Sequence, residues 1–377
     1  GGAGDPRVPP SRAPTAAPVL EPHHECTDGT RTMQTARVTP ATPDVREIRD
    51  ASTRLHAFVA IDDLRLGPAF GGCRFRAYAD ARAGRTDACR LAAGMTLKNA
   101  LAGIPFGGGK AVVLHPDGPF DRAALFHAFG AAVEDLGGRY VTAMDSGTET
   151  ADMDAIGRAT GRVSGRSGAE GDPSPFTALG VLRGIEAALA ALGRPLRGAR
   201  IAVQGTGHVG GALARHLAAA GAELLLADPV SERVEAVAAA TGGRILTPEA
   251  LPVAACDVLA PCGLGGVLDA ALVPALRCRI VAGAANNQLT AGTVAGELAR
   301  RGVLYVPDFL INAGGVVHAA LAWSGVDAGE IAARVEAIGD TVAEILDRAT
   351  AADRLPLEIA LDLAEARLTA GAPATSA

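Results

Sequence analysis

A glycine pattern at 205–210 places the strongest constraint on how this chain can fold. Gly205, Gly207 and Gly210 form GxGxxG, directly after the apolar run ARIAVQ and directly before a segment with helical periodicity. In a strand–turn–helix unit the first glycine makes the tight turn, the second lets a phosphate approach the backbone, and the third packs helix on strand. The pattern therefore predicts a βαβ unit that binds a dinucleotide at the start of its helix.

An acidic residue at the end of the following strand indicates which dinucleotide the chain binds. Asp228 follows the apolar run ELLLA, roughly 20 residues beyond the glycines. A carboxylate there accepts hydrogen bonds from the ribose hydroxyls and repels a 2′-phosphate, so the sequence favours NAD over NADP. The alternative is that the glycines only make a tight turn and that Asp228 caps the loop before Pro229.

Alternating strand-like and helical segments predict an α/β fold with two domains. The apolar runs DVLAPC, RIVAGAA and VLYVPDF, with helical stretches between them, extend the βαβ unit into a doubly wound sheet. We assign this Rossmann NAD-binding domain to 171–319. We assign a substrate-binding and oligomerisation domain to 41–170, completed by C-terminal helices at 320–377, with the active-site cleft between the domains. The proline-rich segment 1–40 is predicted to be a disordered leader.

Within the first domain the local patterns predict strands, turns and helices in alternation. LHAFVAID reads as a strand, GPAFGGCRF as a turn, and 86–103 as a helix. IPFGGGK reads as a compact turn, followed by the buried strand AVVLH. A further helix and the strand RYVTAMD come next. This alternation is typical of an α/β domain.

Composition excludes several classes of partner. The 377 residues carry a formal net charge of −6, which leaves no basic surplus to neutralise nucleic-acid phosphates or anionic lipids. No apolar run is long enough for a membrane helix. The six cysteines show no CxxC pair and no histidine cluster at ligand spacing, so we predict no metal site, reduced thiols and a cytoplasmic location.

Two lysines and an aspartate are the candidate catalytic groups. Lys98 lies in a helical segment, Lys110 follows three glycines, and Asp145 ends a strand. Consecutive glycines are easiest to justify where the backbone approaches another backbone or a ligand. If two lysines lie in one cleft, one can bind a carboxylate. Desolvation and the neighbouring positive charge lower the pKa of the other lysine, so that it can exchange protons. Alternatively both lysines are solvated, and Asp145 caps the next helix.

Eight segments, in order, resemble the motifs of the glutamate/leucine/phenylalanine/valine dehydrogenase family. They cover the chain from about 55 to its end, and they are GGCR (71–74), GMTLKNA (94–100), GGGKAV (107–112), GRYVTAMDSGT (138–148), GDPSPFTALGV (171–181), APCGLGG (260–266), AGAANNQL (282–289) and VPDFLINAGGVVH (306–318).

The resemblance implies oxidative deamination of an amino acid with hydride transfer to NAD. It implies that Lys98 binds the α-carboxylate, that Lys110 activates a water, and that Asp145 relays protons to and from the amino group. It further implies that Asn286 orients both substrate and nicotinamide, and that Thr177 contacts the nicotinamide carboxamide. The remaining residues that we predict to contact the cofactor are Thr206, Val209, Pro261, Cys262 and Ala284.

The predicted side-chain pocket is apolar and is formed by Phe70, Gly72, Val316 and Ala319. Phe70 and Ala319 stand where glutamate dehydrogenases carry a lysine and a serine that reach the side-chain carboxylate. Burying an unpaired carboxylate against them is unfavourable, so glutamate is disfavoured and the leucine, valine and phenylalanine branch is favoured. Leucine, valine, phenylalanine and tryptophan all stay open, because one methylene changes discrimination by only about 1–3 kcal/mol.

Two other functions fit part of the sequence. One is a different Rossmann oxidoreductase, for which the two lysines and Asp145 would serve no purpose. The other is a catalytically silent NAD-binding or regulatory protein. The family resemblance also implies a homo-oligomer.

Overall fold

The computed structural model describes residues 19–20, 43–168 and 171–371. Most of the predicted leader at 1–40 therefore lies outside the described residues. Within it, Val19–Leu20 forms a short strand, β1, that pairs antiparallel with Ile48 and Arg49.

The first α/β domain is a six-stranded mixed sheet covered by helices on both faces. Its elements after β1 are β2 (Asp44–Asp50), β3 (Leu55–Asp63), β4 (Ala69–Arg76), α1 (Ala81–Leu101), β5 (Gly107–Leu114), α2 (Arg122–Asp135), β6 (Tyr140–Met144) and α3 (Thr150–Gly157). The strand order is β1-β2-β3-β5-β4-β6, with β5, β4 and β6 mutually parallel and the others antiparallel. Alternate residues of β3 face α1 on one side and α2 with α3 on the other.

Two predicted turns are strands in the structure. Most of GPAFGGCRF forms β4, and the triple glycine opens β5. Gly108 is needed because α1 lies directly on the sheet: a Cβ there would be 2.0 Å from the Thr96 hydroxyl and 2.3 Å from the Thr96 nitrogen. A Cβ on Gly107 or Gly109 would instead meet a neighbouring strand, at 1.9 Å from the Asp63 carbonyl oxygen or 2.8 Å from the Ala69 Cβ. The close approach of backbones was therefore the right explanation, but it occurs within a strand.

The second α/β domain is built on a parallel six-stranded sheet. Its elements are α4 (Ser174–Ala191), β7 (Arg200–Gln204), α5 (His208–Ala219), β8 (Glu223–Ala227), α6 (Ser231–Thr241), β9 (Arg244–Ile245), β10 (Val258–Pro261), β11 (Ile280–Val281), α7 (Thr293–Arg300) and β12 (Leu304–Tyr305). The strand order β12-β11-β10-β7-β8-β9 reverses between β7 and β10, as in a doubly wound fold. The predicted Rossmann sheet is thus present, and its ligand crevice lies at that reversal.

Five further helices follow β12. They are α8 (Asp308–Ile311), α9 (Gly314–Trp323), α10 (Ala328–Glu336), α11 (Ile338–Ala352) and α12 (Pro356–Gly371). Helix α11 packs on α4, whereas α8 and α12 contact α1 of the first domain. There Arg65 forms a 2.9 Å ion pair with Glu365. The domain boundaries after 170 and 319 stay predictions.

The cysteines depart from the sequence prediction at one position. Cys89 on α1 is disulfide-bonded, so the prediction that all cysteines are reduced was wrong. The spacing of cysteines along the chain does not show which thiols a fold brings together. Cys73, Cys256, Cys262 and Cys278 are free. Over the described ranges no group of three metal-ligating side chains occurs, and no helix is long and apolar enough to cross a membrane.

Candidate active site

A cleft of about 350 Å³ lies where β4, β5 and β6 of the first domain face the helices and loops of the second. Its lining brings together eleven of the residues predicted from sequence. They are Phe70, Gly72, Lys98, Lys110, Asp145, Thr177, Val209, Ala284, Asn286, Val316 and Ala319.

Lys110 and Asp145 form an ion pair at the floor of this cleft. Lys110 lies in β5 and is almost fully buried, and its Nζ is 3.2 Å from Oδ1 of Asp145. Asp145 directly follows β6, where its backbone N–H donates to the Thr148 hydroxyl at 2.9 Å. Burial raises the pKa of Asp145, but Lys110 and Arg74 together lower it below the ordinary value. The carboxylate is therefore ionised at neutral pH and can accept a proton.

Arg74 is a part of this site that sequence reasoning missed. Its Nε donates to Oδ2 of Asp145 at 2.9 Å, and its Nη1 donates to Asp87 at 3.0 Å. Arg74 contacts Asp145 because β4 runs parallel to β6 with Cys73 opposite Met144, so that the residues following these two lie side by side. Knowing which strands are neighbours would have revealed it.

Lys98 projects from α1 toward the second domain. Its Nζ donates to Oδ1 of Asn286 at 3.1 Å, and Nδ2 of Asn312 donates to the same oxygen at 2.8 Å. Desolvation lowers the pKa of Lys98 to about 8; Asp308 opposes this shift, and Lys110 adds to it. The lowered pKa therefore falls on the lysine that the resemblance assigns to carboxylate binding.

Asp308 and Asn312 are further polar residues of the cleft that sequence reasoning did not single out. Both are buried on or just after the short helix α8. Asp308 accepts a 2.7 Å hydrogen bond from the backbone N–H of Gln288, and burial raises its pKa. Oδ1 of Asn312 has no hydrogen-bond partner among the described residues. An acceptor of this kind, buried beside the cleft, is suited to a ligand donor.

The fingerprint glycines have three different surroundings, and together they fit a dinucleotide. Gly205 has φ of +94°, and a Cβ there would lie 2.8 Å from the nitrogen of Gly263. A Cβ on Gly210 would lie 1.9 Å from the Gly205 carbonyl oxygen, so α5 packs tightly on the turn. A Cβ on Gly207, the residue before α5, would meet nothing within 4 Å. The space in front of the helix N-terminus is thus open to a pyrophosphate.

Asp228 stabilises the same turn from β8. Its Oδ2 accepts from the N–H of Thr206 at 2.6 Å and from the Thr206 hydroxyl at 3.3 Å, and its Oδ1 accepts from the N–H of Val230 at 2.9 Å. The loop-capping alternative therefore describes part of its role. Pro261 ends the neighbouring strand β10, and the N–H of the next residue, Cys262, donates to the Gln204 carbonyl at 2.7 Å. These residues surround the fingerprint beside the cleft.

An apolar compartment lies beside the lysines. Phe70 is buried edge-on against Phe106, with ring centroids 5.3 Å apart. Val316 and Ala319 face it from α9, and the Ala319 carbonyl accepts from the Ser164 hydroxyl at 3.2 Å. The compartment is suited to an aliphatic or aromatic side chain and disfavours a second carboxylate.

The fold and this cleft define a two-domain, dinucleotide-dependent dehydrogenase. The family model "Glu/Leu/Phe/Val dehydrogenase, dimerisation domain" matches residues 36–162, and the model "Glutamate/Leucine/Phenylalanine/Valine dehydrogenase" matches residues 226–352. The chain therefore belongs to the glutamate/leucine/phenylalanine/valine dehydrogenase family, in its leucine/valine branch.

Individual relatives agree with this assignment. The chain is 40% identical to leucine dehydrogenase of Bacillus subtilis over 326 residues, which cover 85% of this chain and 89% of the relative. It is 41% identical to valine dehydrogenase of Streptomyces virginiae over 335 residues, covering 85% and 92%. The crystal structure of L-tryptophan dehydrogenase from Nostoc punctiforme superposes with a TM-score of 0.77 at 35% identity, covering 87% and 96%. The two alternative functions find no support in these relatives.

Proposed function

We propose that this protein oxidatively deaminates an apolar L-α-amino acid with NAD, releasing ammonia and the 2-oxo acid. The observation that carries the proposal is the arrangement of charges in the cleft. Lys98 and the Lys110–Asp145 pair line one wall, and Asn286 from the second domain contacts Lys98. A carboxylate-binding cation and a proton-accepting carboxylate are the two groups that an amino acid's reacting end requires.

The side chains have complementary tasks in this mechanism. Protonated Lys98 holds the α-carboxylate. Because Oδ1 of Asn286 already accepts from Lys98 and Asn312, its Nδ2 is the group left to orient the substrate. Asp145 accepts the proton that the amino group loses. Lys110, beside Asp145, assists a water that attacks the imine carbon, and Asp145 returns a proton to the departing ammonia.

The glycine turn and the cleft fit NAD. Gly207 leaves open space before α5, Thr177 and Val209 line the inner cleft, and Asp228 directly follows β8 at the position suited to a ribose. When bound, NAD supplies the acceptor for the hydride that leaves the substrate Cα. The protein supplies orientation and charge, and a cleft between two domains excludes water when it closes.

Leucine and valine are the first substrates to test, because two of the relatives are leucine and valine dehydrogenases. In addition, Phe70 and Ala319 replace the lysine and serine that bind the side-chain carboxylate in glutamate enzymes. Tryptophan follows from the structural neighbour, and the small Ala319 leaves space for a larger ring. We also propose a homo-oligomer, for which light scattering is the direct test. A cytoplasmic location stays a prediction.

The decisive experiment records NADH formation with leucine, valine, phenylalanine, tryptophan and glutamate in parallel. The control is Lys110→Ala, which keeps Lys98 and the NAD site. We expect an apolar amino acid to be oxidised, glutamate to be the poorest substrate, and activity to disappear in the variant while NADH binding persists. Measurable NAD binding with no turnover of any amino acid would reject the proposal.

A further inference from the structure

Arg74 lies between two carboxylates and lines the cleft beside the Lys110–Asp145 pair. Its Nε donates to Oδ2 of Asp145 at 2.9 Å, and its Nη1 donates to Oδ2 of Asp87 at 3.0 Å. Its side chain is only 18% exposed, so both contacts are largely shielded from water. A planar guanidinium that is held at two points has little freedom to rotate. It therefore restricts the carboxylate that it contacts.

Asp87 is itself held firmly in place on α1. In addition to Arg74, it accepts a 2.7 Å hydrogen bond from the Tyr78 hydroxyl and a 2.7 Å hydrogen bond from Nη2 of Arg90. Three donors thus fix this carboxylate. Arg74 is consequently anchored to α1, the same helix that carries Lys98, as well as to the end of β6.

We propose that Arg74, anchored by Asp87, is a positioning residue that orients Asp145 for proton transfer. Because Arg74 occupies Oδ2, the remaining oxygen, Oδ1, is directed toward Lys110 and the substrate amino group. This inference rests on the proposed function, in which Asp145 accepts the amino proton. The arginine itself exchanges no proton, because its guanidinium stays charged at every working pH.

The charges around Asp145 indicate a measurable consequence. Burial raises the pKa of Asp145, and Lys110 from β5 with Arg74 from β4 lowers it. Lys98 on α1, and Cys73 and Tyr140 in the core on the other face of the sheet, also interact electrostatically with Asp145. Without Arg74, only Lys110 would strongly oppose the desolvation. An adjacent arginine lowers an aspartate pKa by about 1–3 units. Loss of Arg74 should therefore leave part of Asp145 protonated, and inactive as a base, as the pH falls.

The test compares Arg74→Met and Arg74→Lys with the parent enzyme between pH 9 and pH 5. The quantity is the ratio of variant to parent kcat/KM for the best amino acid, in which the titration of the substrate amino group cancels. For Arg74→Met we expect kcat to fall by about 10- to 100-fold, KM for NAD to stay within about twofold, and the ratio to fall further toward the acid end of this pH range. Arg74→Lys retains a cation, so its ratio should be larger and nearly independent of pH.

The matched control is Arg65→Met. Arg65 also bridges two carboxylates, Asp63 at 2.8 Å and Glu365 at 2.9 Å, but it lies outside the cleft. Its loss should lower stability without changing the pH dependence. If Arg74→Met does not fold, Asp87→Asn releases the anchor while keeping the arginine. We then expect a several-fold lower kcat with an unchanged KM for NAD, and an unchanged kcat would overturn the proposal.

The outcomes distinguish the proposed role of Arg74 from the proposed enzymatic activity. An active parent with a pH-independent Arg74→Met ratio would show that Arg74 has a merely structural role, which overturns this inference and leaves the proposed function standing. A parent that binds NADH but oxidises no amino acid would instead overturn the proposed function. A ratio that falls with pH in Arg74→Met but not in Arg65→Met supports both.

Discussion

Binding of a simple carboxylate to the cleft should weaken steeply in mild alkali. Desolvation lowers the pKa of Lys98 to about 8 from the ordinary lysine value of 10.5, so this ammonium is charged below pH 8 and loses its proton above it. A carboxylate needs the charged form. We therefore expect the affinity for a substrate-like acid without an amino group, such as 4-methylpentanoate, to be constant below about pH 7.5 and to fall above it.

The magnitude follows from the protonated fraction. Two pH units above the pKa, about one molecule in a hundred keeps the proton, so the inhibition constant at pH 10 should be about a hundredfold higher than at pH 7. The assay is competitive inhibition of amino acid oxidation at saturating NAD, repeated at half-unit steps of pH. The acid is fully ionised throughout this range and contributes no titration of its own.

Two controls make the result specific to Lys98. Lys98→Met removes the charge, and its inhibition constant should be high at every pH. Lys98→Arg keeps a charge across the whole range, so whatever affinity it retains should not change with pH. A parent inhibition constant that stays flat from pH 7 to pH 10 would refute the reasoning, since it would mean that Lys98 stays charged or does not bind the carboxylate.

Three further predictions follow from the structure. Gly207→Ala should leave thermal stability unchanged and weaken NADH binding in a fluorescence titration by about tenfold or more, because its Cβ enters space that the protein leaves open. Asp228→Asn should raise the kcat/KM for NADP relative to NAD, because it removes the charge that repels a 2′-phosphate; an unchanged ratio would contradict the assignment. Gly108→Ala, whose Cβ would lie 2.0 Å from the Thr96 hydroxyl, should destabilise the fold by about 1–3 kcal/mol. Gly296→Ala, in open space on α7, should instead stabilise it by about 0.5–1 kcal/mol in the same denaturant titration.

Hydrophobic periodicity and the fingerprint were sufficient to predict the doubly wound sheet. The unit from β7 to β8 was identifiable because its strands are continuous apolar runs and its glycines stand at fixed offsets. The first sheet was harder. Strand β2 has the sequence DVREIRD, in which two apolar residues give no alternation, and it was not predicted. In β4 and β5 the glycines imitate turn signals. In the structure Gly108 admits α1 and the other glycines admit neighbouring strands, which only the tertiary structure reveals.

The site residues that stand in local sequence motifs were predictable, whereas those whose roles depend on tertiary contacts were not. The lysines, Asp145 and Asn286 stand in recognisable motifs, and the structure places all four in one cleft. The roles of Arg74, Asp308 and Asn312 depend on which strands are neighbours and on burial, and a sequence pattern shows neither.

The two lysines differ in their counter-charges, and this difference gives a physical reason for the separate tasks that we propose for them. Lys110 already has a carboxylate, Asp145, at 3.2 Å. Over the described part of the chain no ion pair joins Lys98 to a carboxylate, and Asp308, the acid that raises its pKa most, is itself buried and has a raised pKa. An incoming α-carboxylate therefore gains most at Lys98, where it supplies the charge that desolvation leaves uncompensated. The same binding should raise the pKa of Lys98 and keep it protonated during turnover, so that the bound substrate maintains the charge on which its own position depends.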